Sequence, residues 1–582
     1  MQARDDRVWG GSTIPEDAPR GAAIVDLLLA LGAIGLLALS IDFAREWRAA
    51  YRPSVEIDLS VRALPAYALY SLSRGLTAYV LSLVFTLLYG YWAARDRVAE
   101  RVLVPVLDIL QSIPVLGFMP GLVLGLVALF PRSNVGLELA AVLMIFTGQV
   151  WNMTFSFYSS LRSVPAELSE MARVYGFSEW RRVRFVDLPF STSGLVWNSM
   201  MSMAGGWFFL MISESFVLGD RDYRLPGLGS YMSVAVAKGD VQAMLLAILA
   251  MTLVIVALDR VLWRPLVVWG ERFRMEEGGQ REEGRSLVLD LLRHSRFVAW
   301  VDRWLSQSHA PLRRAPAERA APPSLAALRR RHGLVVGVRV LFGAVLISGL
   351  GIGALRLSRL VAEVGATAWL SILGQAFATL VRVLTAVALG TLWTLPAGLA
   401  IGLSPRLSGL LQPVVQVVAS FPAPMLFPLV VAGLHAAGVT LGWGSIVLML
   451  LGTQWYVLFN VIAGAAAIPA DLREAARSYR LSRAQTFRTL WAPAVFPYLV
   501  TGWVTAAGGA WNASIVSEAV SFRGETLATV GLGAQISRAA ETADFPVLAA
   551  SVCVMALMVV IFNRSVWRRC QNLAAERFSL SK

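Results

Sequence analysis

Apolar residues in this chain run in long uninterrupted stretches, not in the short alternation of half-buried strands. Stretches long enough to cross a hydrocarbon layer of about 30 Å as helices lie near 22–41, 74–94, 102–130, 136–160, 189–217 and 240–267, and again near 333–355, 376–403, 408–434, 440–466, 493–518 and 545–567. The pattern predicts an all-α, polytopic membrane protein with about twelve transmembrane helices, six plus six. The first stretch follows a polar segment of mixed charge (Arg4, Asp5, Asp6, Arg7, Glu16, Asp17), and no convincing cleavage pattern follows Ser40, so it reads as a retained helix.

The two sets of six are copies of each other. Ser73–Ala78 (Ser-Arg-Gly-Leu-Thr-Ala) matches Val381–Ala386 (Val-Arg-Val-Leu-Thr-Ala), and the same offset carries Thr86 to Thr394, Gly90 to Gly398, Pro114 to Pro422 and Pro120 to Pro428. After a four-residue slip, Trp151 maps to Trp455, Pro165 to Pro469, Glu170 to Glu474, Trp207 to Trp511, Ser213-Glu214 to Ser517-Glu518 and Gly227-Leu228-Gly229 to Gly531-Leu532-Gly533. Rare residue types at constant offset indicate duplication and fusion. An even number of spans per copy keeps both copies in one orientation, so the repeat is parallel, with its axis along the membrane normal and a pathway between the halves. The expected organisation is a first domain over 1–269, a linker over 270–332 and a second domain over 333–582.

Composition agrees with lipid as the solvent: 56% of residues are hydrophobic, mean hydropathy is +0.61, and 15% are charged against about 25% in a typical soluble chain. The net charge of +14 rests almost wholly on arginine. Those arginines sit in loops between apolar runs, which argues for the positive-inside rule instead of nucleic-acid binding and puts both termini in the cytoplasm. The loop holding Arg45, Arg48, Arg52 and Arg62 runs against that orientation, diluted by Asp42, Glu46, Glu56 and Asp58. The linker is rich in Arg, Pro and Ala, with an amphipathic helix expected near 286–305 (Leu287, Leu291, Phe297, Trp300, Trp304).

Several chemistries are excluded. A phosphate-binding loop needs Lys followed by Ser or Thr; Lys238 precedes Gly239 and Lys582 ends the sequence. Any ATP hydrolysis therefore belongs to another polypeptide. Two cysteines, Cys553 and Cys570, and four scattered histidines give no metal-ligand spacing.

Each half carries one long polar interruption. In the first, Pro165 opens a helix holding Glu167, Glu170 and Ala172, Gly176 makes a turn, and Pro189 begins the next span. In the second, Pro469 is followed by Asp471, Glu474, Ala475 and Ala476, with Arg480 at the turn and Pro493 at the next span. Proline at a helix start and acids in the first turn favour a short helix, so each segment predicts a helix-turn-helix knob projecting into the cytoplasm.

These segments resemble the hallmark Glu-Ala-Ala-x3-Gly-x9-Ile-x-Leu-Pro loop of the integral-membrane permeases of binding-protein-dependent ABC importers. The first keeps Glu170, Ala172, Gly176, Leu188 and Pro189, with Met171 and Val186 as replacements. The second keeps Glu474, Ala475, Ala476 and Pro493, but has Arg480 for the glycine, Leu490 for isoleucine and Ala492 for leucine. The Arg-x-Leu-Thr start of span two (Arg74, Arg382), the Ser-Ile-Pro and Ser-Phe-Pro turns that open a proline-kinked region of span three (Ser112–Pro114, Ser420–Pro422) and a Trp-x5-Ser-Glu end to span five are similar to the nitrate/sulfonate/taurine/bicarbonate branch.

The resemblance implies two permease domains fused in one chain, with coupling loops at 165–189 and 469–493. It implies two ABC ATPase subunits on the cytoplasmic side, which hold the ATP, no cofactor on this chain, and a periplasmic or lipid-anchored solute-binding protein. It also implies a bacterial inner-membrane location and a small anionic solute such as nitrate, a sulfonate/taurine or bicarbonate. The rivals are an ion-gradient-driven secondary transporter, which expects ionisable groups at mid-membrane, and a scaffold or assembly factor, which expects no polar seam.

Charge at a membrane edge marks function by default. Glu214 and Glu518, with Ser213, Ser517, Trp207, Trp511 and Asn512 on the same helices, are candidates for pathway or gate. Arg74 and Arg382 lie at the same level, so each Glu either gates or pairs with its arginine to tie spans two and five together.

Overall fold

The computed structural model describes residues 44–49, 51, 55–218, 221–273, 351–522 and 525–578, with a few isolated positions besides. The first and seventh expected spans, near 22–41 and 333–355, and the linker helix near 286–305 lie largely or wholly outside the described residues. Chain contacts define two units. One comprises 1–42 and 280–363, in which residues 351–362 are helical; the other comprises 43–279 and 364–582 and holds each repeat from its second expected span onward.

In the larger unit the first repeat runs α1 (Leu64–Arg95), α2 (Arg97–Ser112), α3 (Val115–Leu129), α4 (Val135–Arg162), α5 (Ala166–Val174), α6 (Glu179–Arg182) and α7 (Leu188–Ser213). Strands β1 (Ser215–Leu218) and β2 (Arg221–Arg224) follow, then α8 (Leu228–Lys238), α9 (Val241–Leu258) and α10 (Arg264–Gly270). The second repeat has the same order: α11 (Ala366–Gly402), α12 (Pro405–Ser420), α13 (Phe427–Ala436), α14 (Leu441–Ala466), α15 (Ala470–Ser478), α16 (Arg483–Thr486), α17 (Ala492–Ser517), β3 (Ala519–Phe522), β4 (Glu525–Ala528), α18 (Leu532–Glu541), α19 (Phe545–Phe562) and α20 (Arg568–Arg577). Helix starts are capped equivalently: Asp96 accepts from the N–H of Val98 at 2.8 Å, and Ser404 from that of Leu407 at 3.4 Å.

Eight helices among the described residues are long and apolar enough to span a membrane, four in each repeat. Spans four and five of the first repeat are the inner ones, with 56% and 50% of their apolar windows buried, against 28% for spans two and six. Close packing of the inner pair rests on small residues: a Cβ on Gly148 would stand 2.2 Å from the Phe209 ring, and one on Gly206 2.3 Å from the Gln149 amide.

The third span departs from expectation. The 102–130 stretch is two helices, α2 and α3, bent by 95° at Ile113-Pro114. The 408–434 stretch is broken the same way by Pro422 into α12 and α13. Proline removes the N–H that would continue the helix and disfavours helical geometry in the residue before it. Each piece, at about 1.5 Å per residue, is then too short to cross alone.

The repeats interlock reciprocally. Span five of each packs on the broken third span of the other: α7 on α12, α17 on α3. The two antiparallel hairpins, which pair Ser215 with Arg224 and Ala519 with Ala528, extend the interlock, since β1 touches α18 and β3 touches α8.

Candidate functional site

Each knob is built from the same local devices. α5 and α15 begin after Pro165 and Pro469 and end in a left-handed residue, Gly176 at φ 62° and Arg480 at φ 51°. The N–H of Phe177 donates to the Ala172 carbonyl at 2.9 Å and that of Gly176 to the Arg173 carbonyl at 3.0 Å; Leu481 to Ala476 and Arg480 to Arg477 repeat the motif at 3.1 and 2.9 Å. Ser178 and Ser482 then cap the following short helices, and one π turn in each (Val183–Asp187, Phe487–Trp491) leads into span five. Ala172 and Ala476 face inward, while Glu167, Glu170, Asp471, Glu474 and Ala475 are exposed. The first knob is also tied to span two, because the wholly buried Asp187 pairs with Arg95 and lies 3.8 Å from Arg182. Leu403 and Trp491 stand at the equivalent positions of the second.

At the opposite end of the spans lie two buried clamps. Arg74 donates from Nη1 to Glu214 at 2.8 Å and to the Pro226 carbonyl at 2.8 Å. Ser71 donates to Glu214 at 2.7 Å and accepts from the N–H of Leu228, while the N–H of Gly229 donates to the other Glu214 oxygen at 2.7 Å. Arg382, Glu518, Thr379, Val530, Leu532 and Gly533 repeat the arrangement. Both carboxylates therefore sit at the N-terminus of the next short helix, where backbone N–H groups point at negative charge. Each clamp joins span two, span five and the turn after the hairpin.

Glu138 has no such twin, and offset reading passes over it. Arg74 holds it through Nε at 2.7 Å and Nη2 at 2.6 Å, both side chains fully buried. The signal in the sequence is a lone carboxylate inside an apolar stretch.

Between the halves lies a cavity of about 220 Å³. The first repeat supplies Trp151, Asn152 and Phe208; the second supplies Gln416, Tyr456, Trp511 and Asn512, among others, and among the described residues no Asp, Glu, Lys or Arg is in the lining. Of the candidate pathway residues, Trp511 and Asn512 line it. Glu214, Glu518, Arg74 and Arg382 belong instead to the clamps, and Trp207 packs on Gly75. Ser213 donates to the Leu210 carbonyl at 3.1 Å; the buried Ser517 hydroxyl has no hydrogen-bond partner among the described residues. Asn512 also crosses the seam, its Oδ1 accepting at 2.7 Å from the N–H of Val115 at the start of α3.

Sequence comparison gives a double match. Residues 86–262 and 390–566 each match the family described as binding-protein-dependent transport system inner membrane component. The chain is 28% identical over 195 residues to the taurine transport system permease protein TauC of Escherichia coli, covering 33% of this chain and 67% of that one. It is 29% identical over 144 residues to the nitrate import permease protein NrtB of Synechocystis (25% and 51% covered). It is 26% identical over 146 residues to the bicarbonate transport system permease protein CmpB of Synechococcus elongatus (25% and 51%). The chain thus spans about half to two thirds of the length of these curated relatives.

Proposed function

The chain belongs to the family of binding-protein-dependent transport system inner membrane components, present twice in one polypeptide, and on that premise we propose that it supplies both transmembrane halves of an ATP-driven importer. Separate ATPase subunits bind the ATP and seat on the knobs at 165–189 and 469–493, around Glu170 and Glu474. Their closure rocks the halves about the central cavity. A periplasmic or lipid-anchored binding protein delivers solute to the outer face, which the hairpins partly form, and both termini are cytoplasmic.

The observation that carries this reading is the pair of exposed helices α5 and α15, held in the same geometry between spans four and five of each repeat. A gradient-driven carrier has no use for such matched knobs. For the solute we propose a small anion such as nitrate, a sulfonate such as taurine, or bicarbonate. The named relatives favour it, and so does a cavity lined without carboxylates, which would repel an anion.

The test is transport by proteoliposomes holding this chain with the ATPase that co-purifies from its native membrane. Accumulation should require ATP and the binding protein. Accumulation driven by an ion gradient with no ATPase present would overturn the proposal.

A further inference from the structure

The two knobs share a backbone and differ in surface. Their left-handed turns, capping bonds and π turns coincide, yet position for position the exposed side chains change character. Met171, Val174, Trp180 and Phe185 are exposed apolar residues on the first; Ala475, Ser478, Ala484 and Thr489 stand in their places on the second. Conversely, Ser169 and Gly176 become Arg473 and Arg480.

The first knob balances its charges: Arg173, Arg181, Arg182 and Arg184 stand against Glu167, Glu170, Glu179 and Asp187. The second has Arg473, Arg477, Arg480, Arg483 and Arg488 against only Asp471 and Glu474. Arg477, Arg480, Arg483 and Arg488 are exposed, and none of these five arginines forms an ion pair among the described residues. Arg480 also holds a left-handed conformation that glycine takes without cost. The backbone is kept, and exposed Leu472, Tyr479 and Phe487 keep part of an apolar surface, while the balance of charge shifts to cationic, which is how a surface selects a second partner of the same shape and more acidic charge.

We infer that the knobs seat on two non-identical ATPase subunits, and that the one beneath the second half presents an acidic groove to Arg473, Arg477 and Arg480. This rests on the proposed importer reading and goes beyond it by assigning a distinct partner to each half. The pseudo-symmetric placement of the basic knob, matching the apolar one, favours a protein groove over anionic lipid.

The experiment uses the full chain in its native membrane, with Cys553 and Cys570 replaced by Ser and a single cysteine introduced as Tyr175→Cys or Tyr479→Cys. Both tyrosines are exposed and equivalent. A maleimide–benzophenone reagent adds to the introduced thiol through its maleimide, and on irradiation its ketone inserts into a C–H bond of whatever protein lies against it; the captured partners are identified by peptide mass as P-loop ATPases. The expected result is a different ATPase polypeptide at each position. The Tyr479→Cys product should also fall about tenfold as salt rises from about 0.1 M to about 1 M, where screening shortens from about 10 Å to about 3 Å, while the Tyr175→Cys product stays within about twofold.

One and the same ATPase at both positions would overturn the inference and leave the importer reading standing. Loss of binding to phosphatidylglycerol vesicles in Arg477→Glu/Arg480→Glu, with Tyr479→Cys capture of ATPase unchanged, would overturn it in favour of lipid. No ATPase at either position would sink the importer reading itself.

Discussion

Arg74 binds Glu138 through two parallel hydrogen bonds of 2.6 and 2.7 Å, whereas its counterpart Arg382 turns Nε to the backbone carbonyl of Gly442 at 3.2 Å. One arginine thus serves two buried carboxylates in the first half and one in the second. Removing one partner of a buried ion pair is costly because it strands the other charge. Arg74→Ala, which strands two, should cost about 3–5 kcal/mol, and Arg382→Ala, whose site is partly open, about 2 kcal/mol. Thermal unfolding midpoints of the two variants in one detergent check this; equal losses would mean that Glu138 does not depend on Arg74.

That asymmetry also marks what the sequence disclosed. The pairing of Arg74 with Glu214 and of Arg382 with Glu518 was half legible: both residue types recur, the arginines at an offset of 308 and the glutamates at 304, and they share a membrane level, which left pairing and gating both open until the contacts decided it. Glu138 was not legible, since a repeat reports what both copies keep and Gly442 occupies its place. The broken third span was half legible: Pro114 and Pro422 announced a kink, but how far the chain turns depends on tertiary packing. The π turns at Val183–Asp187 and Phe487–Trp491 left no sign, because one extra residue per turn has no compositional signature. The hairpins were missed for another reason. Strands of four residues between apolar helices are too short for alternation to register.

The clamps predict a stability phenotype with selectivity unchanged. A Cβ on Gly227 would stand 2.3 Å from the Glu214 carboxylate, and one on Gly531 2.2 Å from that of Glu518. Both glycines are extended, so the conflict is steric, and each Gly→Ala change should cost about 1–3 kcal/mol. Glu214→Gln and Glu518→Gln should lower the melting midpoint in the same direction. Uptake per folded molecule, compared among competing solutes, should keep its rank order; a reordered preference would return the glutamates to the pathway.

The second knob predicts opposed effects on stability and docking. Arg480→Gly relieves a left-handed arginine, a gain of about 1 kcal/mol, yet removes a cation from the proposed docking face. Its melting midpoint should rise while capture of the ATPase falls several-fold. Gly176→Arg in the first knob should lose stability by about 1 kcal/mol without gaining the salt dependence of the second, because its neighbours Val174 and Trp180 remain apolar. A rise in both stability and capture for Arg480→Gly would show that the arginine is not part of the contact.

Asn512 offers a test that separates holding the halves together from the proposed conduction of solute. Its Oδ1 accepts from the N–H of Val115 across the seam, and the same side chain lines the cavity. Asn512→Leu removes the acceptor and strands the Val115 N–H, which should cost about 1–3 kcal/mol. Asn512→Asp keeps an acceptor in place but puts a negative charge in a lining that has none. Because the carboxylate loses the Asn512 donation to the Gly508 carbonyl, stability should fall by about 1–3 kcal/mol, as for Asn512→Leu, while among folded molecules uptake of nitrate or a sulfonate drops steeply only for Asn512→Asp and ATPase association does not change. Parental anion uptake by a stably folded Asn512→Asp chain would mean that solute does not pass Asn512, and would move the pathway out of the cavity between the halves.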